Sequence, residues 1–302
     1  MKTFSHLHEN LLQGKFVVTG ECGPPRGANK AVIDKKISLL KGYVDAVNVT
    51  DNQTAIVRMS SIAASAHLVA AGLEPVMQMV VRDRNRIAIQ SDIMGAYSLG
   101  IRNILCLSGD HQKFGSQPDA MNVFDIDSVN LVRTVRDMRE KGKDMSGFVL
   151  DVAPQMFIGA AANPFADPFE YRVIRLAKKI DAGVDFIQTQ CIYNIDRFKE
   201  WIKRANDEGL TERVYILGGV TPLRSAGMAR YMNNKVAGMD VPSDIIKRMD
   251  GIGKKNQADE GIKICLETIE VLKELTGVHG VHIMAIEWEE AVAKIVEQAG
   301  LK

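Results

Sequence analysis

Residues 168–194 read PFEYRVIRLAKKIDAGVDFIQTQCIYN. Val173, Leu176, Ala177 and Ile180 recur at the spacing of one helix face, which predicts an amphipathic helix. Gly183 follows that stripe, at the place where helix ends favour a residue tolerant of the left-handed region. The next run, DFIQTQCIYN from Asp185, is short, apolar and bounded by Asp and Asn, as a buried strand should be. A helix, a closing glycine and a buried strand together make the repeating unit of a parallel α/β protein.

Seven further runs of the same character lie on either side of it. They are FVVTGECG from Phe16, YVDAVNVTDN from Tyr43, EPVMQMVVRD from Glu74, IRNILCLSGD from Ile101, MFIGAAANP from Met156, VYILGGVTP from Val214 and VHGVHIMAIEW from Val278. Segments with helical apolar spacing separate them, AIVRMSSIAASAHLVAAG (residues 55–72) among them. Eight strand–helix units without a linker or a shift in composition predict one (β/α)8 TIM barrel spanning residues 1–302. A doubly wound open sheet is the alternative, disfavoured by the number of repeats and the lack of a glycine-rich phosphate fingerprint. Three long connections break the even spacing: HQKFGSQPDAMNVFDID after the fourth strand, GKDMSGFVLDVAPQ before the fifth, and the stretch from VPSDIIKRMDGIGKKNQ through a helix near Asp259–Leu275. Long insertions into economical connections are usually functional, and the first should lie on the active face.

Composition narrows the function. The chain has 302 residues, with 38 Lys and Arg against 37 Asp and Glu and a hydrophobic fraction of 46%. Such a balance disfavours disorder and nucleic-acid binding driven by bulk charge. No apolar run reaches membrane-spanning length, and the polar start MKTFSHLHENLLQGK does not read as a signal peptide. A cytoplasmic small-molecule enzyme is the expectation. The four cysteines, Cys22, Cys106, Cys191 and Cys265, are scattered and offer no cluster or structural zinc site. GIGKKN lacks the spacing of a phosphate loop. The two histidines of GVHGVHIM should fall on opposite strand faces, so a shared metal is not expected.

The strand ends are polar while the strand bodies are apolar, and in barrel enzymes the chemistry gathers at those ends. Glu21 closes an apolar strand beside a Pro-Pro corner, where burial would raise its pKa and suit it to donate a proton. A strand-end acid paired with an arginine is the structural alternative. Asp110 ends LCLSGD after a glycine that permits close backbone approach, and a turn cap is its alternative. Arg172, Arg175, Lys178 and Lys179 make either a solvated helix face or a cradle for phosphates at the barrel mouth.

Together GECGPPRG, NVTDN, LSGD, LAKKIDAGVDFIQTQ and GVTP resemble, in order along the chain, the methylenetetrahydrofolate reductase family of flavin-dependent barrels. The resemblance runs from about Phe16 to Ala299. It implies FAD as cofactor, reduction of 5,10-methylenetetrahydrofolate to 5-methyltetrahydrofolate, Glu21 as general acid, and Asp110 as the acid near pterin and flavin. It further implies flavin contacts at Thr50, Gln78, Ser108, Gly109, Asp110, Asn163, Lys178 and Lys179, and folate contacts at Gln190 and Met249. This chain departs from the family pattern in having Ser108 for an arginine and Asn163 for an aromatic residue. Ala285-Ile286-Glu287-Trp288 stands for the family's Leu-Asn-Arg, and Met249 for a stacking phenylalanine. Its opening and ending look like the short acetogen-type members, which implies NAD(P)H or a redox partner as donor, with a small zinc and iron–sulfur subunit and an oligomer as further expectations. Two competing readings are a flavin-free pterin-binding barrel acting in methyl transfer, and a non-catalytic folate- or flavin-binding subunit.

Overall fold

The computed structural model describes residues 3–236 and 238–302. Its elements are α1 (His6–Leu12), β1 (Val17–Cys22), α2 (Lys30–Leu40), β2 (Ala46–Val49), α3 (Ser61–Ala70), β3 (Pro75–Val80), α4 (Arg86–Ser98), β4 (Asn103–Leu107), α5 (Ser128–Lys141) and β5 (Phe157–Ala162). They continue with α6 (Tyr171–Ala182), β6 (Phe186–Cys191), α7 (Ile195–Asp207), β7 (Tyr215–Val220), α8 (Ala226–Lys235), α9 (Ser243–Gly251), α10 (Gln257–Glu274), β8 (Gly280–Ile283) and α11 (Glu290–Gln298). Each of the eight predicted apolar runs contains one strand. All neighbours pair in parallel and β1 pairs with β8, so the sheet closes into a (β/α)8 barrel.

The founding unit folds as its pattern requires. Val173, Leu176 and Ile180 on α6 are buried, Gly183 caps it at φ 106°, and β6 follows with nearly every side chain covered. The segment at residues 55–72 differs in part: α3 starts only at Ser61, where the Ser60 hydroxyl accepts from the Ala63 amide. A serine in that position supplies a ready helix start, so the preceding apolar residues join a rim loop instead.

Alternation along the strands divides the apolar core into two shells. Val18 and Cys22 face outward toward the helices, whereas Val17 on the same strand faces the barrel interior. The floor of that interior is sealed by the N-terminal segment, which the sequence marks only as polar. Leu7 and Leu11 of α1 pack against Val17, Ala46, Phe157 and Phe186. Phe4, His8, Phe157 and Phe186 stack in series with ring centroids 5.2, 4.5 and 4.9 Å apart. Stacked pairs of this kind contribute roughly 0.5–1.5 kcal/mol beyond their burial. The Glu74 carboxylate fixes the plug by accepting from the His6 and Leu7 amides, each at 2.9 Å. With its base closed, the barrel is open for ligands only at the opposite end.

The three long connections take different places. Residues 111–127 dock on the rim loop after β2, the Ser116 amide donating to the Ala55 carbonyl at 3.2 Å. The stretch before β5 instead folds back outside the barrel against α4, where the Met145 amide donates to the Gln90 side chain. The third forms α9 and α10, and α10 agrees with the helix expected near Asp259–Leu275.

Candidate active site

A cavity of about 360 Å³ opens at the C-terminal ends of the strands, within the size range of small-molecule sites. Its inner wall is a row of polar side chains one layer above the aromatic floor. Asn48 and Gln188 exchange side-chain hydrogen bonds across the barrel: the Asn48 amide donates to Gln188 Oε1 at 2.6 Å, and the Gln188 amide to Asn48 Oδ1 at 3.0 Å. Gln188 Nε2 also donates to Thr19 Oγ1 at 3.2 Å, and Thr19 Oγ1 lies 3.0 Å from His282 Nδ1. His282 Nε2 in turn stands 3.9 Å from Glu21 Oε2. Four of these five side chains are thus joined into one hydrogen-bonded row, which ends facing the carboxyl of Glu21. Because every interior partner is satisfied, the row is stiff, and it fixes the imidazole beside the acid.

Burial sets the protonation of both end groups. The Glu21 side chain is only 10% exposed. Loss of solvent raises its pKa from 4.5 to about 7, with Lys36 pulling it down and Glu289 pushing it up. Burial lowers His282 from 6.5 to about 4, against a smaller opposing effect of its hydrogen bond to Thr19. Near neutral pH the imidazole is therefore uncharged, and the carboxyl beside it holds a transferable proton. On the opposite wall, α6 brings Arg172, Arg175 and Lys179 to the cavity. Lys179 is largely buried, donates to the Ala161 carbonyl, and is lowered to about 8 by burial and then by Arg175. Among the described residues none of these three cations has an ion-pair partner, so the wall suits an anionic group. Leu105, Leu107, Ala161 and Ala162 supply the apolar part of the lining.

Residues 6–300 match the family model described as methylenetetrahydrofolate reductase. The chain belongs to the methylenetetrahydrofolate reductase family. It is 27% identical over 220 residues to methylenetetrahydrofolate reductase 2 of Schizosaccharomyces pombe, covering 68% of this chain and 32% of that protein. It is 24% identical over 305 residues to the 5,10-methylenetetrahydrofolate reductase of Pectobacterium carotovorum, covering 98% of this chain and 95% of that one. The chain thus spans about a third of the length of its yeast relatives and nearly all of the bacterial one. Among solved structures it resembles, at TM-score 0.67 and 15% identity, a Clostridium thermocellum protein described as binding two copies of 5-methyl-5,6,7,8-tetrahydrofolic acid, covering 97% of this chain and 99% of that one.

The residues expected from the family resemblance fall into three groups. Glu21, Gln78, Asn163, Lys179 and Gln190 line the cavity together. Thr50, Ser108, Gly109 and Asp110 follow β2 and β4 at the same end of the barrel but do not line the cavity. Thr50 is buried with its hydroxyl unpartnered, and Ser108 donates to Ser128 Oγ at 3.1 Å. Gly109 turns at φ 86°, where a Cβ would stand 3.0 Å from that of Val80. Asp110 is exposed, and its backbone carbonyl accepts from Arg82 Nη1 at 2.9 Å.

Lys178 and Met249 lie away from the cavity. Lys178 projects to solvent because one residue along a helix turns a side chain by about 100°. Met249 is fully buried among Tyr193, Leu223 and Met232, in the apolar cluster that anchors α8 and α9. Of the polar strand ends, Asp51 is taken up by structure: it accepts from Arg84 Nη1 at 2.6 Å and from the Val80 amide at 2.9 Å. The sequence reading passed over Asn48 and Thr19, and weighed His282 only as a metal ligand. Stepping back by two from Glu21 and from Met284 would have found Thr19 and His282. Their adjacency rests on the β1–β8 closure that pairs Thr19 with His282.

Proposed function

We propose that this chain reduces the methylene carbon of 5,10-methylenetetrahydrofolate to a methyl group, with Glu21 as the proton donor. The observation that carries the reading is a buried carboxyl group, raised to about 7, that faces the end of a satisfied polar row at the mouth of a barrel. The folate's five-membered ring must open before its methylene carbon can accept a hydride. Glu21 protonates the departing ring nitrogen, so the C–N bond breaks with its electrons on nitrogen and leaves an iminium carbon. A neutral His282 favours this step, since a charged imidazolium would hold Glu21 ionised. Gln190 presents an amide group suited to the pterin's donor and acceptor edge.

The residues present fit a flavin dinucleotide. Arg172, Arg175 and Lys179 suit its diphosphate, Gln78 and Asn163 the polar rim of its ring, and Leu105 with Leu107 the ring face. When bound, the flavin supplies the hydride that completes the methyl group. NADPH or NADH is the donor favoured by the names of relatives from Caenorhabditis elegans and Oryza sativa. A redox partner subunit is the alternative. Asp110 keeps the role the family resemblance implies, a carboxylate that would favour the developing cation.

Substituting Glu21→Gln tests the reading. Folate reduction should fall by about a hundredfold or more, while reduction of bound flavin by an artificial donor persists. Unchanged folate turnover removes Glu21 from the mechanism. A chain that takes up no flavin on titration favours the methyl-transfer reading instead.

A further inference from the structure

Glu21 faces two cavities. Besides the mouth cavity, it lines a second one of about 50 Å³, together with Gly23, Lys36, Arg58, Glu287 and Glu289. This rear space sits where the loops after β1, β2 and β8 meet, and it has room for roughly three waters. One buried polar group lining it points to a polar filling. Arg58 donates from Nη1 to the Pro24 carbonyl at 2.9 Å, yet its buried Nε–H has no acceptor on the protein. Outside the cavity lining, Thr50 Oγ1 is buried without a partner among the described residues and lies 3.9 Å from where a Gly23 Cβ would stand. A buried donor such as the Arg58 Nε–H is nearly always satisfied, and cavity water is the partner within reach.

The outer end of the space is equally specific. Glu287 is exposed, lines the cavity and is held at φ 50°, a conformation a non-glycine residue adopts only under constraint. Lys36 and Glu289 form an ion pair across α2 and the start of α11, both side chains largely covered. Paired, they line the cavity without adding net charge to it.

A proton donor must recover its proton in every cycle. A pterin and a cofactor filling the mouth cavity would cover the front of Glu21, leaving the rear space as its route to water. Resting on the proposed function above, we infer that Glu21 is reprotonated through this rear cavity, with Glu287 passing protons from bulk solvent to the cavity water. The O–H bond of the Glu287 carboxyl breaks and each cavity water gains and loses one proton. An O–H bond forms on the Glu21 carboxylate, and Glu287 recovers its proton from solvent. No electrons move. The groups facing Glu21 are Lys36 from α2, Glu289 before α11, Glu287 and His282 from the β8 end, Arg58 from the β2 loop, and the Cys22 and Cys191 thiols. Burial raises Glu21 to about 7, with Lys36 and Glu289 acting in opposite directions, which leaves it able to exchange near neutrality.

The test is hydrogen–deuterium exchange of the protonated Glu21 carboxyl. Its infrared C=O band is identified by its loss in Glu21→Gln. The flavin-loaded full chain is mixed into D2O with and without saturating 5-methyltetrahydrofolate. Gly23→Val fills the cavity, and Glu287→Gln removes the relay group from an exposed position where folding is not at risk. Both variants should exchange like wild type without folate, and at least about tenfold more slowly with it. Equal exchange in wild type and both variants with folate bound overturns the inference alone. Slowing that is the same with and without folate also overturns it, because a structural disturbance would act in both states. A chain that binds no 5-methyltetrahydrofolate on titration fails at the proposed function, and this inference falls with it.

Discussion

Burying Glu21 should cost stability, and the cost should depend on pH in a defined direction. In the unfolded chain its carboxyl titrates near 4.5, and in the folded barrel near 7. The folded state therefore holds this proton more tightly, and its contribution is most favourable below pH 4.5 and lost as pH rises through about 7. Ionising a carboxyl against a displacement of that size costs about 3 kcal/mol. Replacing Glu21 by glutamine removes the ionisation and keeps the shape. Relative to wild type, Glu21→Gln should gain about 3 kcal/mol between pH 4.5 and pH 8.5, or roughly 6 °C in melting temperature for a chain of this size. His282 titrates in the opposite sense, burial lowering it to about 4. It is present in both proteins, so it drops out of the difference to first order. The assay is thermal unfolding of both proteins across the pH range at one scan rate. A difference that stays constant between pH 4.5 and 8.5 would refute the argument, since it would mean that Glu21 is not held protonated by burial. The same property predicts that folate reduction declines as pH rises through about 7, where the proton donor becomes ionised.

Two other perturbations probe the walls of the site. Gln188→Leu strips Asn48 of both its side-chain hydrogen bonds and should destabilise the barrel by about 1–3 kcal/mol, read as a lowered midpoint in urea. A midpoint equal to wild type would show that the amide row contributes nothing to rigidity. Lys179→Met should weaken FAD binding by about tenfold or more, whereas Lys178→Met, on the solvent side of α6, should leave it unchanged in a fluorescence titration. Equal losses from both would remove the cavity-facing assignment of Lys179.

Much of the molecule was legible along the chain. Strand positions follow from short apolar runs bounded by turn residues, and α6 from its apolar stripe and Gly183. Glu21 stood out because an acid ending an apolar strand beside two prolines has few places to go but a strand end near the core. Lys178 and Met249 show where reading by correspondence weakens. Adjacent basic residues on a helix cannot share a face, so of the pair only Lys179 turns inward. Met249 lies in a connection whose path the strand pattern does not constrain, and it packs into the α8–α9 cluster.

The sequence by itself determined the eight-unit barrel, the polar strand ends and the acid at the end of β1, because these depend on local periodicity and on residues near in sequence. The tertiary structure alone decided which side chains meet across the interior. Thr19 and His282 are 263 residues apart and touch because β1 closes on β8. Asn48 and Gln188 pair across the barrel, 140 residues apart. Alternation gives each residue a face but not a partner, and partners follow from closure and register. The polar start of the chain carries the same lesson. Its few apolar residues found a place only when closure left a barrel floor for Leu7 and Leu11 to seal.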